Sequence, residues 1–595
     1  DRNKLSMPLQ DFTGVLGHKR AAHLLRRATF GANKTLIDHF ATLTAQQAVT
    51  QLFRQSLPTP LPPIDPKTGL EWVTAGATNA NTKENELQNY FVCWFLGQMM
   101  SPGYQVNDAL SLAYAAREKL VLFLHTHFTT IKEKVNDSRA LYFQNQLFRF
   151  FALDSLHSNP EINFKTLTVK VSVDSAMLKV LDGTSNVKGS PNENYARELL
   201  ELFSIGRGID GMVPPPENGD YHVFTEQDVK EAARVLSGWG TDDTYQTIDA
   251  DTQIPRGRVR GTPTNASSHD NGTKQFSHRF NNFSIQPDPL LLNGTQPTEE
   301  SALDEIRQLV DMIYDNAQDP TSAAQHICWK IYRFYVWGPH AKEEVEPIHQ
   351  TIIPSLAEIF IANGYKLQPV IEALFRSTHF YEASASITDD NFGAIIKSPI
   401  DLVIGTYKFF DVTFPDMELE AANFYEKMEG VRTIFARQGL NFYDPYDVAG
   451  YEAYHQFPIY HRSWITPTTI TQRYAFIRDL FDHNLMMETP AYVHPLTFIR
   501  QYFEAEAGNA STLIVALSRY LFPVTDHLDY DETNDSDTQP PGITAPRLQY
   551  FKMKFLDSYT EEQWQTHWAT NSPAVASQLQ NLLYTMLQTP EYQLS

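Results

Sequence analysis

The stretch 192–203 carries the densest chemistry in the chain. On a helix, Asn194, Arg197, Glu198 and Glu201 lie on one face, opposite Tyr195, Leu199, Leu202 and Phe203. Two carboxylates one turn apart can divide acid and base duties, or hold a hard cation. The alternative is a structural network in which Arg197 neutralises a glutamate and Glu193 is consumed by capping. His125 and His127 offer imidazoles for a metal or for proton transfer. Two residues apart on a helix they diverge by about 200°, so they share a ligand only where the chain leaves the helix. Otherwise each is a core or helix-end histidine. His269 and Asp270, with Lys274, sit in a polar stretch from which a mobile loop could deliver them, Asp270 orienting His269. The alternative there is a solvated turn. Gathered beside the glutamates, these groups would suit metal-assisted hydrolysis or phosphate and sulfate ester chemistry. Glu198, Glu201, Arg197, His269 and Asp270 are therefore the candidate catalytic residues, and His125 and His127 the candidate ligands of a divalent metal. Asn194, Lys274, Tyr451 and Trp464 are the candidate substrate contacts, the last two as sugar-stacking rings in the aromatic stretch 441–464. Those aromatics could equally fold the loop onto the helices.

Helical periodicity must supply the elements that hold these groups. Ser190 as cap, Pro191 at the first position and Glu193 three residues on predict a helix over 190–203. Thr225 with Asp228 predicts another to 237. Apolar spacing predicts helices over 18–28, 44–53, 84–100, 109–128, 299–316, 321–336, 348–363, 367–375, 400–410, 467–481, 549–556 and 574–587. Residues 164–181 alternate as a strand at first, through Leu167, Val169, Val171 and Val173. The periodicity vanishes over 240–292, a long polar loop. Asp526, Asp529, Asp531, Asp535 and Asp537 crowd another loop but fail the calcium-loop spacing, so a solvated acidic loop is expected. The fold expected is mainly α: a large multi-helix body with long irregular loops and little or no sheet. Its main body is 1–395 and a helical C-terminal lobe is 396–595.

Composition narrows the function. Among 595 residues, 48 are basic and 70 acidic, a net charge of −22, which argues against a nucleic-acid partner. Hydrophobic residues at 42% suffice for a large core. No apolar run approaches a transmembrane segment. Cys93 and Cys328 sit in apolar, aromatic surroundings that point to two buried free thiols, with one disulfide between them as the alternative, and they are too few for a cysteine-built zinc site. The chain opens on Asp1, as a processed or trimmed chain would. It contains no glycine-rich phosphate loop, nucleophile elbow or zincin motif.

Several segments, in order, resemble one bacterial family, that of domain of unknown function 1800. The run 21–31 with His23, Arg26, Arg27 and Gly31 resembles its opening signature, and 117–128 with Arg117, Glu118, Lys119, His125 and His127 its second block. Residues 192–203 look like its most specific block. Residues 228–239, 269–274, 397–399 and 444–451 follow, with Arg473 in the closing helix. Leu124 and Tyr451 stand where the family usually has Trp. The resemblance runs from about residue 12 to 590. It implies a mostly helical protein exported by bacteria to an extracytoplasmic place (periplasm, cell surface or medium). It also implies a secreted, sulfatase-like neighbour as a partner, and it turns 164–181 toward helix. It supplies no reaction.

Two readings of function follow: an exported hydrolase acting on a glycan or cell-surface polymer, or a non-catalytic component of a surface assembly that binds a protein or glycan. Imidazoles converging on the glutamate helix would favour the first, and a flat apolar patch the second.

Overall fold

The structure is a computed structural model describing residues 9–74, 82–209, 211–339, 341–381, 391–485, 488–525, 528–531 and 543–595. It is mainly α-helical. Among the described residues the only sheets are antiparallel pairs of two-residue strands: Ile64–Asp65 with Leu70–Glu71, Trp239–Gly240 with Arg258–Val259, and Lys274–Gln275 with Ser284–Ile285.

Helix Ala109–His127 forms the axis of the core, buried at every position from Ser111 onward. A helix buried on all sides must satisfy its polar groups internally. Glu118 accepts from Arg149 on helix Ser138–Ala152 at 2.9 and 2.6 Å, and from Arg117 at 3.0 Å. Burial opposes its ionisation, but the two guanidiniums hold it below the usual carboxylate range. Helix Gly17–Ala28 ends near Gly31, whose φ of +94° suits a residue without Cβ. A Cβ there would lie 3.4 Å from the Cα of Gly405, where helix Pro399–Phe409 passes close.

Residues 164–181 form helices Phe164–Ser172 and Ser175–Val180, not a strand. Asn163 and Asp174 cap them by accepting from the amides of Thr166 and Met177. The caps and the packing of Leu167 and Val171 override β-propensity. The stretches before and after residue 395 share one buried core. Arg26 donates to the Tyr520 carbonyl at 2.5 Å, and Arg27 to that of Ser595. Among the described residues no helix is long and apolar enough to cross a membrane.

Candidate functional site

The glutamate segment starts later than its sequence suggests. Ser190 and Pro191 precede the helix, which begins at Asn194 after Glu193. Its first turn is held by Asn192, which accepts from the Asn194 amide at 2.9 Å. Glu193 is therefore not consumed by capping; it lies 3.6 Å from Arg197. After Asn194–Glu198 the coil widens into a π-turn over Leu199–Phe203. Such turns are rare and concentrate at functional sites. Tyr195, Ala196, Leu199, Leu200 and Phe203 are buried, leaving Asn194, Arg197, Glu198 and Glu201 half-buried.

The polar residues then divide. Arg197 makes a bidentate pair with Glu226 at 2.9 Å on both oxygens, joined by the Tyr221 hydroxyl. That fork holds Glu226 down at about 2. Glu201 pairs with Arg207 at 2.6 Å. Glu198 has no hydrogen-bond or ion-pair partner among the described residues. Burial, and then the neighbouring charge of Glu201, push its carboxyl up to about 7. Burial also raises Glu201, against the pull of Arg207. One carboxyl with no partner thus stands beside one paired to a guanidinium, a pairing that can donate a proton and stabilise developing positive charge. Asn194 donates to the Leu181 carbonyl at 3.3 Å.

The predicted gathering of imidazoles on the glutamates does not form. His125 and His127 both remain inside the helix and point apart, as the helical angle requires. His125 bonds the Tyr451 hydroxyl at 2.8 Å, and His127 donates Nε2–H to the Phe203 carbonyl at 3.0 Å. They share no ligand position, and no cluster of three His, Cys, Asp or Glu fit for a metal occurs among the described residues. The stretch 240–292 is no mobile arm either. His269 is fully buried, bonded to the Ser237 carbonyl at 2.9 Å and to Glu305 at 3.1 Å. Lys274, also fully buried, pairs with the same Glu305. Asp270 does not orient His269. It faces Arg234 at 2.8 Å, and that partner, working against burial, holds it at about 2. Arg234 lies eight residues beyond Glu226 on helix Glu226–Val235, roughly 12 Å along its axis. Tyr451 is buried too, its oxygen taken by His125 and the Tyr443 amide. It joins the loop to the core rather than presenting a ring for stacking. Trp464 is buried, lining a cavity. Of the acidic-loop residues, Asp526, Asp535 and Asp537 lie outside the described residues. Asp529 accepts from the Asp531 amide at 3.0 Å. Cys93 and Cys328 are free and buried, and burial pushes both thiols up.

Behind the π-turn lies what the sequence reading missed. Lys330 donates to the Leu202 carbonyl at 2.7 Å, His326 to the same oxygen at 3.1 Å, and His455 to the Thr126 carbonyl at 2.8 Å. These oxygens are acceptors only, so each histidine carries its proton on Nε2. Burial first, and then nearby Lys330, lower all three of His127, His326 and His455, so they are neutral at pH 7. His127, His455 and Lys330 line a cavity of about 50 Å³, together with Lys119, Arg333, His461 and Asp401. Lys119 pairs with Asp401. Nδ1 of His127 is buried without a partner among the described residues. Lys330 and Glu305 each interrupt an apolar stripe, at Ile327, Lys330 and Ile331 and at Ala302, Glu305 and Leu309. A charge on a buried face was the signal available.

A family model described as a protein of unknown function, DUF1800, matches residues 23–594. The chain belongs to the DUF1800 family. No curated protein and no solved structure matches it. The DUF1800 match takes in the glutamate helix, the cavity behind it and the buried Glu305 cluster.

Proposed function

We propose that this DUF1800 protein is an extracytoplasmic hydrolase that cleaves a glycan or other cell-surface polymer by acid–base catalysis, with Glu198 as proton donor. The observation that carries the reading is the pairing of an unpartnered, half-buried Glu198 with a Glu201 already neutralised by Arg207. Glu198 gives its proton to the leaving oxygen as the C–O bond to it breaks, Glu201 beside Arg207 stabilises the positive charge that develops, and water adds to that cation and returns a proton to Glu198. No metal ion is required by this assignment.

The test is release of new chain ends from a panel of acidic and neutral polysaccharides, comparing the intact chain with Glu198→Gln. A loss of about 10²–10⁴-fold with an unchanged fold is expected. Retained cleavage in the variant, or no cleavage of any polymer, overturns the reading. Fractionation of producing cells checks the location, and cytoplasmic recovery would count against it.

A second reading, a non-catalytic component of a surface assembly, draws on His125, His127 and His269. All three are committed to scaffold bonds rather than to the glutamates. Co-purification of the intact chain with a secreted sulfatase-like protein, undiminished in Glu198→Gln, would favour it.

A further inference from the structure

A second cavity, of about 510 Å³, lies among residues 58–61, 100–106 and 411–418, against the end of helix Pro399–Phe409. That volume is in the range of small-molecule sites. Its walls are apolar side chains, among them Met100, Phe414, Met417, Phe424 and Met428. The Phe424 ring lies over Gly97, where a Cβ would come within 2.5 Å of it, so glycine there makes room for this wall. Leu61 and Val106 line the cavity yet remain 55% and 38% exposed, which gives it an apolar mouth.

One cation stands in this apolar space. Lys408 carries three N–H donors, and its only partner among the described residues is the Ser101 hydroxyl at 3.3 Å. Ser101 in turn donates to the Ser111 carbonyl at 2.7 Å. Asp411, an acid in the lining, is occupied by Asn33 at 2.7 Å and by Tyr502. Tyr114 is bonded to Gln98. Asp416 and Glu418, on the exposed stretch, add negative charge that disfavours a dianion. The two remaining Lys408 donors match the two oxygens of a single carboxylate.

We propose that this cavity binds a single-chain fatty carboxylate, its head on Lys408 and its hydrocarbon tail along Phe414, Met417, Phe424 and Met428. The inference is independent of the acid–base reading. Burial lowers Lys408 to about 7, and an incoming carboxylate favours the ammonium form. Binding above that pH therefore draws a proton from the buffer. Asp411, Asp416, Glu418, Tyr104 and Tyr114 are the other titratable groups lining the cavity.

The test is calorimetric titration of the full chain with decanoate and with decanol, at about pH 6 and about pH 8.5. Decanoate is expected to bind one to one, about ten-fold tighter than decanol at the lower pH. At the higher pH the preference shrinks, with proton uptake seen across buffers of different ionisation enthalpy. Lys408→Met should erase the preference while keeping decanol affinity, and Val106→Trp, at the exposed mouth, should weaken both ligands. Equal affinities in the unmodified chain, a preference surviving in Lys408→Met, or no binding of either ligand overturns the proposal. If Lys408→Met does not fold, the pH dependence and Val106→Trp decide it: a pH-independent preference, or binding unaffected by the tryptophan, overturns it.

Discussion

Arg207 grips Glu201 at 2.6 Å and leaves Glu198, three residues earlier, without a partner among the described residues. The two carboxyls share a segment but not an environment, and that difference sets their protonation.

The unequal pair has a stability signature. A carboxyl raised to about 7 in the folded chain binds its proton more tightly than in the unfolded chain. Stability is therefore lost as pH climbs from the ordinary glutamate value toward 7. Glu198→Gln removes that penalty. Allowing for its partial exposure, the variant should be more stable than the unmodified chain by about 1–2 kcal/mol near pH 8. The gain should vanish near pH 4, as read by denaturant unfolding across the range.

Glu305 should behave as a structural charge. Replacing it with Leu strands the Lys274 ammonium in a fully buried site and should cost about 3–5 kcal/mol. The double change with Lys274→Met should recover part of that loss. Chemical unfolding of the three variants measures the coupling.

Tyr451→Phe deletes the hydroxyl bonded by His125 and by the Tyr443 amide, both at 2.8 Å. Two buried groups lose a partner at once, so a loss of about 1–3 kcal/mol is expected in thermal unfolding.

Gly206→Ala probes the base of the π-turn. At φ +72° an added Cβ would meet the His326 ring at 2.3 Å. Strain and overlap together should cost about 2–4 kcal/mol, with the His326 side chain displaced in the imidazole proton spectrum.

Much of the architecture was legible in the sequence, because long amphipathic runs and caps declare themselves locally. Thr44 and Thr225 cap the predicted helices, Ala45–Phe53 and Glu226–Val235. Helices Ser138–Ala152, Ala421–Arg437 and Ala510–Leu521 were not anticipated, since aromatics and mixed polar residues blur their stripes. The glutamate face was legible as a set of residues but not as a pattern of partners. Arg197 turns to Glu226, 29 positions away, and Glu201 to Arg207, choices that only tertiary packing makes. The polar run near His269 suggested solvent exposure. Its charges instead cancel inside the protein through Glu305, which lies 36 residues from His269 in an otherwise apolar stripe. Cavities lined by residues as distant as Asn33, Ser101 and Lys408 leave no local trace.

The π-turn at Leu199–Phe203 spends one residue more than an ordinary coil needs. A chain shortened by a single position there would close into a regular helix, and everything after the cut would rotate by about 100° relative to everything before it. Glu198 would keep its place while Arg207 and the Leu202 carbonyl bonded by Lys330 swung away. The spare residue thus works as a phase setting, fixing which side of one rod looks outward to the acid pair and which looks inward to the cations.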